Sequence, residues 1–230
     1  VYLDDDEASE IWVKEIGLPQ KRVVRMGEDD NFWPAGAPSQ GPDGVCGPCS
    51  EIFYHDEKGS EVEIWNLVFT QFNRVGDPPD NLRPLPSKNI DTGMGLERMS
   101  SVLQGVTDNY QTDTFFHLMS GAAKLLKVEE LDTISLKVIS DHIRSIFHLL
   151  REGVNPGNEG RGYVLRRIIR RAVRYAYKCE VRDIFLADMV DIFLKDFPEK
   201  ISVEEINTIK SKISSEEEKF SATFFRGMEI

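Results

Sequence analysis

A chain of 230 residues, 40% of them hydrophobic, with 39 acidic against 28 basic side chains and a formal charge of -11, has room for two modest domains and is too acidic to coat nucleic acid indiscriminately. No apolar run approaches the roughly 20 residues that span a bilayer, and Val1-Tyr-Leu-Asp-Asp-Asp-Glu7 is neither a signal nor a transit peptide. Cys46, Cys49 and Cys179 are an odd set that argues against a secreted disulfide framework and for a reducing compartment: the cytoplasm, with an organellar matrix or stroma as the alternative.

Taken in chain order, the acidic start at residues 4–7 reads as solvated, and residues 5–16 as a helix ended by Gly17. Residues 36–47 form a Gly/Pro loop. Strands are expected at 51–54 and 62–73, the second apolar on both faces as a central strand would be. A loop at 75–88 leads to a strand-to-helix element from Ile90 onward. From about Thr112 the pattern turns helical, at 114–126, 135–151, 163–177, 182–196 and 203–226. Ser202-Val-Glu-Glu205 opens the last of these as a capping box, and Glu216-Glu-Glu218 reads as its solvated face. The missing initial Met and the interrupted helical pattern at Phe225-Arg-Gly-Met-Glu-Ile230 read as cuts inside a larger protein. The expected fold class is α+β, a sheet module over 1–111 followed by an all-helical module over 112–230.

Three places carry chemistry. Period-two geometry puts Asn66 on the face of Ile64 and Val68, where a neutral amide among apolar neighbours needs either a structural hydrogen-bond partner or a ligand. In Ile90-Asp-Thr-Gly-Met-Gly-Leu-Glu-Arg-Met99, Gly93 and Gly95 permit close approach to the backbone at a helix start, with Asp91 for a cationic group and Arg98 for a phosphate. Arg98 fills the third glycine position of a dinucleotide fingerprint, so a Rossmann reading fails. Third, at 100° per residue the 163–177 helix puts Val164, Leu165, Ile168, Ile169, Ala172, Val173 and Ala176 on one half. Arg166, Arg167, Arg170, Arg171, Arg174 and Lys178 fill the other, and with Arg161 they form a cationic ridge suited to phosphates.

Other readings have weaker footing. Cys46-Gly-Pro-Cys49 matches a thiol-disulfide oxidoreductase motif, but Ser50-Glu-Ile-Phe-Tyr-His55 looks like a strand, where that chemistry needs a helix start. Cys46, Cys49 and His55 fall one ligand short of a structural zinc site, so no metal is expected. His142 and His148 are six apart, a spacing that suits helix-surface or core-edge roles.

Asn31-Phe-Trp33, Cys46-Gly-Pro-Cys-Ser-Glu-Ile-Phe-Tyr54, Glu63-Ile-Trp-Asn-Leu-Val-Phe-Thr-Gln-Phe-Asn-Arg74, Asp91-Thr-Gly-Met-Gly-Leu-Glu-Arg98, Asp141-His-Ile-Arg144 and Arg161-Gly-Tyr-Val-Leu-Arg-Arg-Ile-Ile-Arg-Arg-Ala172 stand in one order along the chain. Together they resemble the alanyl-tRNA synthetase family of class II aminoacyl-tRNA ligases, from after motif 2 through motif 3 into the helical tRNA-recognition domain. The resemblance implies part of a class II antiparallel sheet with flanking helices and then an all-helical domain. It implies Arg98 as the catalytic residue on the terminal phosphate of ATP, with Gly93 and Gly95 beside the nucleotide. Asp91 would take the ammonium of alanine, Asn66 its carboxyl group, and Trp33, Val68 and Gly93 would wall the pocket.

The same resemblance implies ATP with Mg2+ as substrate, no zinc, and the tRNA(Ala) acceptor stem as partner. Asn158, otherwise a turn residue, would lie near a G·U wobble pair, with Arg161, Arg166, Arg170, Arg171 and Arg174 at phosphates. Motifs 1 and 2 lie upstream in the family, so this chain alone is expected to be inactive without the other parts of its parent. A non-catalytic RNA-binding module is the alternative.

Overall fold

The computed structural model describes residues 1–56, 59–131 and 133–228. Glu229 and Ile230, in the stretch read as a cut end, lie outside the described residues. The chain divides into two compact units, Val1–Gly105 and Val106–Ile230.

In the first unit the Asp5 side chain accepts the Ala8 N–H at 2.9 Å and starts α1 (Asp6–Glu10). The helix widens to a π-turn over Ile11–Glu15 and ends where Gly17 turns left-handed at φ 83. After α2 (Glu28–Asn31) come β1 (Phe32–Trp33), β2 (Gly44–His55), β3 (Glu61–Arg74) and β4 (Leu82–Met94), which form an antiparallel sheet in that order. β3 is central between β2 and β4, as its two-sided apolar sequence predicts. α3 (Leu96–Gln104) follows, closed by a left-handed Gly105.

Both expected loops are shorter than the sequence suggested. Gly44, Val45 and Cys46 pair with Arg74, Asn73 and Phe72, and on the other side of β3 the same three residues pair with Leu82, Arg83 and Pro84. The buried guanidinium of Arg74 ties the strand ends together through Asp43 at 2.9 Å, whose carboxylate also accepts the Gly76 N–H. Pro84 and Pro86 look like loop residues but sit in an edge strand, which tolerates a missing donor. β2 crosses β3 so closely at Gly47 that a Cβ there would lie 1.8 Å from the Phe69 carbonyl oxygen.

The second unit holds α4 (Asp113–Leu126), α5 (Ile134–Arg151), α6 (Gly160–Tyr177), α7 (Asp188–Leu194) and α8 (Val203–Met228). Thr133 caps α5 by accepting the Leu136 N–H at 3.2 Å, and Ser202 accepts the Glu205 N–H at 3.1 Å at the head of α8. Leu136, Ile139, Ile143, Ile146 and Phe147 of α5 are completely buried among Leu118 and Ala122 of α4 and Leu165, Ile169 and Ala172 of α6. At roughly 2 kcal/mol for each large side chain, this stripe is the main source of the unit's cohesion. Gly121 lets α4 reach α7, since a Cβ there would fall 2.4 Å from Cγ2 of Ile192.

Two expectations are corrected here. α7 begins at Asp188, well after residue 182, because the Phe185 and Leu186 N–H groups donate to the carboxylate of Glu217 at 3.2 and 3.0 Å. Of residues 216–218, expected as a solvated face, Glu218 is exposed but Glu216 and Glu217 are buried. Among the described residues no helix is long and apolar enough to cross a membrane.

Candidate active site and nucleic-acid interface

The sheet gathers one set of candidate residues by register. Glu51, Asn66 and Gly93 form one cross-strand row, and Cys49, Val68 and Asp91 the next. Directly opposed residues share a face, so Asn66, Val68, Asp91 and Gly93 form one patch although they come from strands far apart in sequence. The rows are locked by Trp65 Nε1–H donating to Thr92 Oγ1, and by that hydroxyl donating to the Asn66 carbonyl at 3.1 Å.

Asn66 Nδ2 donates to Glu51 Oε1 at 3.3 Å, while its Oδ1 is buried with no partner. A buried amide oxygen left unpaired by the protein is an acceptor with its hydrogen-bonding capacity unused. Burial, and then the neighbouring Glu63 carboxylate, push the Glu51 carboxyl above its ordinary range. A side chain at Gly93 would meet open space, so packing within the chain does not demand glycine there, and its smallness leaves room beside Asn66. Asp91 is exposed at the rim.

Arg98 comes from the first turn of α3. Its Nη1 donates to the Glu63 carbonyl at 2.9 Å and lies 3.4 Å from Glu63 Oε2, with half of the side chain in solvent. Its aliphatic stem packs over Gly95, where a Cβ would be 3.2 Å from Arg98 Cδ. Trp33 stands in β1 opposite Gly47, half exposed, two positions along β2 from the residue that pairs with Val68.

Cys46 and Cys49 are buried in β2, away from any helix start. Burial pushes both thiols up, that of Cys49 to about 12 with help from Glu51, which removes the thiolate that redox exchange needs. Among the described residues no group of three or more His, Cys, Asp or Glu side chains is placed to hold a metal ion.

The helical unit carries the second set. Leu165, Ile169, Ala172, Val173 and Ala176 of α6 are buried, as their spacing predicts, but Val164 on the same half is half exposed. The arginine half is not uniform. Arg166 donates to Asn158 Oδ1 and lies 3.2 Å from Glu216 Oε1. Arg170 meets the same oxygen at 2.9 Å and stacks over Phe220. Arg171 Nη1 lies 3.4 Å from His142 Nε2, and Asp141 lies 2.9 Å from Nδ1, an order that puts the ring proton on Nδ1. That His142 hydrogen bond is the first cause holding the Asp141 carboxyl below its usual range. Arg161, Arg167 and Arg174 remain exposed.

Glu216 was missed from sequence, yet a signal existed. Ile206, Ile209, Ile213 and Phe220 mark the packed stripe of α8, and 216 and 217 fall on that stripe at helical spacing.

A sheet patch offering an amide, a carboxylate and open backbone near an arginine, followed in the chain by a helical unit with an arginine-rich face, defines an α+β chain of sheet and then helices. The family model described as tRNA synthetases class II (A) matches residues 1–230, and the chain belongs to that family. It is 51% identical to an alanine–tRNA ligase of Rhodopirellula baltica over 99% of its own length. It is 46% identical to the enzymes of that name from Idiomarina loihiensis and Methylobacillus flagellatus, in each case over all of its length. The chain spans 25% to 28% of the length of these relatives.

Proposed function

We propose that this chain is the segment of an alanine–tRNA ligase that completes the alanine and ATP site and carries the acceptor-stem interface. The observation that supports it most is the register that sets Asn66 beside Gly93 and one row from Val68 and Asp91.

In this reading the Asp91 carboxylate takes the ammonium of alanine. Asn66 uses its second Nδ2–H for the alanine carboxylate, and Val68, Gly93 and Trp33 enclose the methyl group. ATP, with Mg2+ on its phosphates, enters as substrate past Gly93 and Gly95. Arg98 turns from Glu63 to the terminal phosphate, an exchange of one anion for another that costs little at a half-exposed site. The alanine carboxylate then attacks the α-phosphate of ATP and displaces pyrophosphate, giving alanyl-adenylate, and the 3′-terminal hydroxyl of tRNA(Ala) takes the alanyl group and releases AMP. A pocket for one methyl group rejects glycine by only about 1 to 3 kcal/mol and rejects serine weakly.

In the helical unit Asn158 faces the wobble pair, and Arg161, Arg171 and Arg174 supply the cationic face for phosphates, Arg166 and Arg170 being paired with Glu216. The cytoplasm is the proposed location. The other parts of the full-length protein are the segment's obligate partners.

The test is alanine-dependent pyrophosphate exchange by the full-length protein, compared with Arg98→Ala. We expect exchange with alanine, reduced about 10²- to 10³-fold in the variant. No exchange with any amino acid would leave a non-catalytic RNA-binding module as the better reading.

A further inference from the structure

Asn158 is exposed in the loop before α6, and a solvent-facing amide of that kind normally rotates freely. Here Arg166 Nη1 donates to its Oδ1. On its other side Arg166 forms an ion pair with Glu216, whose side chain is only 5% exposed and whose Oε1 sits 3.2 Å from Arg166 Nε, although that Nε–H makes no hydrogen bond. The same oxygen takes Arg170 at 2.9 Å, and Phe220, one turn further along α8, covers the Arg170 guanidinium. A buried acid on α8 thus grips two arginines one turn apart on α6, and one of them passes the constraint on to the loop.

The loop backbone is tied to the first turn of α6. The Gly157 N–H donates to the Gly162 carbonyl at 3.0 Å, and a Cβ on Gly162 would stand 2.5 Å from the Asn155 carbonyl oxygen. With the backbone fixed, the side-chain rotation of Asn158 is the remaining freedom, and Arg166 removes it. The amide then presents Nδ2 and the second lone pair of Oδ1 as an oriented donor and acceptor, without paying to order them on binding.

We propose that Glu216 is a positioning residue for base-pair recognition: acting through Arg166, it fixes the amide of Asn158 and at the same time withholds Arg166 and Arg170 from phosphates. This rests on the reading of Asn158 as the residue facing the wobble pair.

The test is single-turnover aminoacylation, by the full-length protein, of two acceptor-stem hairpins that differ only in G·U or G·C at that pair. For Glu216→Gln, kcat/KM on the G·U hairpin is expected to fall about tenfold while the G·C value holds, so discrimination collapses. KM should not rise, and the salt dependence of hairpin binding should steepen by about one phosphate contact, because two arginines are released. A purely structural loss moves both hairpins alike and lowers the melting temperature. Glu216→Asp should recover part of the discrimination. Arg166→Lys keeps the charge but cannot bridge Glu216 and Asn158 together, so it should show the same selective loss even if the Gln variant is poorly folded.

Asn158→Ala separates the two layers. If it loses discrimination while Glu216→Gln and Arg166→Lys keep it, the role of Glu216 is overturned and the reading of Asn158 stands. If Asn158→Ala itself keeps discrimination, the reading of Asn158 falls and takes the role of Glu216 with it.

Discussion

Glu217 accepts the Leu186 N–H at 3.0 Å from a side chain wholly removed from solvent, so a carboxylate of α8 replaces the first turn that α7 would otherwise have made. Burial is the first cause raising its pKa from the ordinary 4.5 to about 7, with Asp188 and Glu218 adding to it and the Phe185 and Leu186 N–H groups opposing. The folded state therefore binds this proton more tightly than the unfolded chain. The stability it contributes is full below about pH 4.5 and is lost as pH rises through about 7, a swing on the order of 3 kcal/mol. Thermal melts from pH 5 to 8 should show the helical unit losing stability across that window. Glu217→Gln mimics the protonated group and should flatten the profile; an unchanged slope would mean that another group titrates there.

The exposed and the held arginines should separate in the salt dependence of acceptor-stem binding. Each phosphate contact contributes roughly 0.7 to 0.9 to the slope. Arg161→Ala and Arg174→Ala should each lower it by about that amount, since both side chains are exposed on α6. Arg170→Ala should lower it by less than half as much, because Glu216 already neutralises that charge. Fluorescence anisotropy across a salt series measures all three.

Cysteine chemistry gives a sharp contrast. Cys46 and Cys49 are buried with raised pKa values, whereas Cys179 is partly exposed. Under native conditions maleimide should modify Cys179 and spare the other two, which react only after denaturation; fast modification of Cys49 would contradict its burial. Gly47→Ala, by driving a methyl group into the Phe69 carbonyl, should cost about 3 kcal/mol or more and lower the denaturant midpoint of the sheet unit.

Local periodicity made α4, α5, α6 and α8 legible to within a few residues, because each carries a clean apolar stripe. It also put Asn66 and Val68 on one face. Asp91 and Gly93 could not be placed on that face from sequence, since the β3–β4 register depends on a bulge between Thr70 and Phe72 that no local pattern announces. β4 itself was partly lost behind Pro84 and Pro86, whose edge position only topology reveals. In the helical unit the uniform run of arginines concealed its division, because the acid that divides it lies 46 residues away at Glu216. Glu217 was misread for a related reason: a run of three glutamates looks solvated until the isoleucines before it are counted in turns.

The bulge between Thr70 and Phe72 lies between the tip of the β3–β4 hairpin and the rows that carry Asn66 and Asp91. It acts as an expansion joint. Residues gained or lost at the tip, around 75–81, should leave the pairing of Asn66 with Gly93 and of Val68 with Asp91 unchanged. A single insertion on the other side of it would turn Asp91 and Gly93 to the opposite face, leaving every residue present and the shared face with Asn66 and Val68 broken.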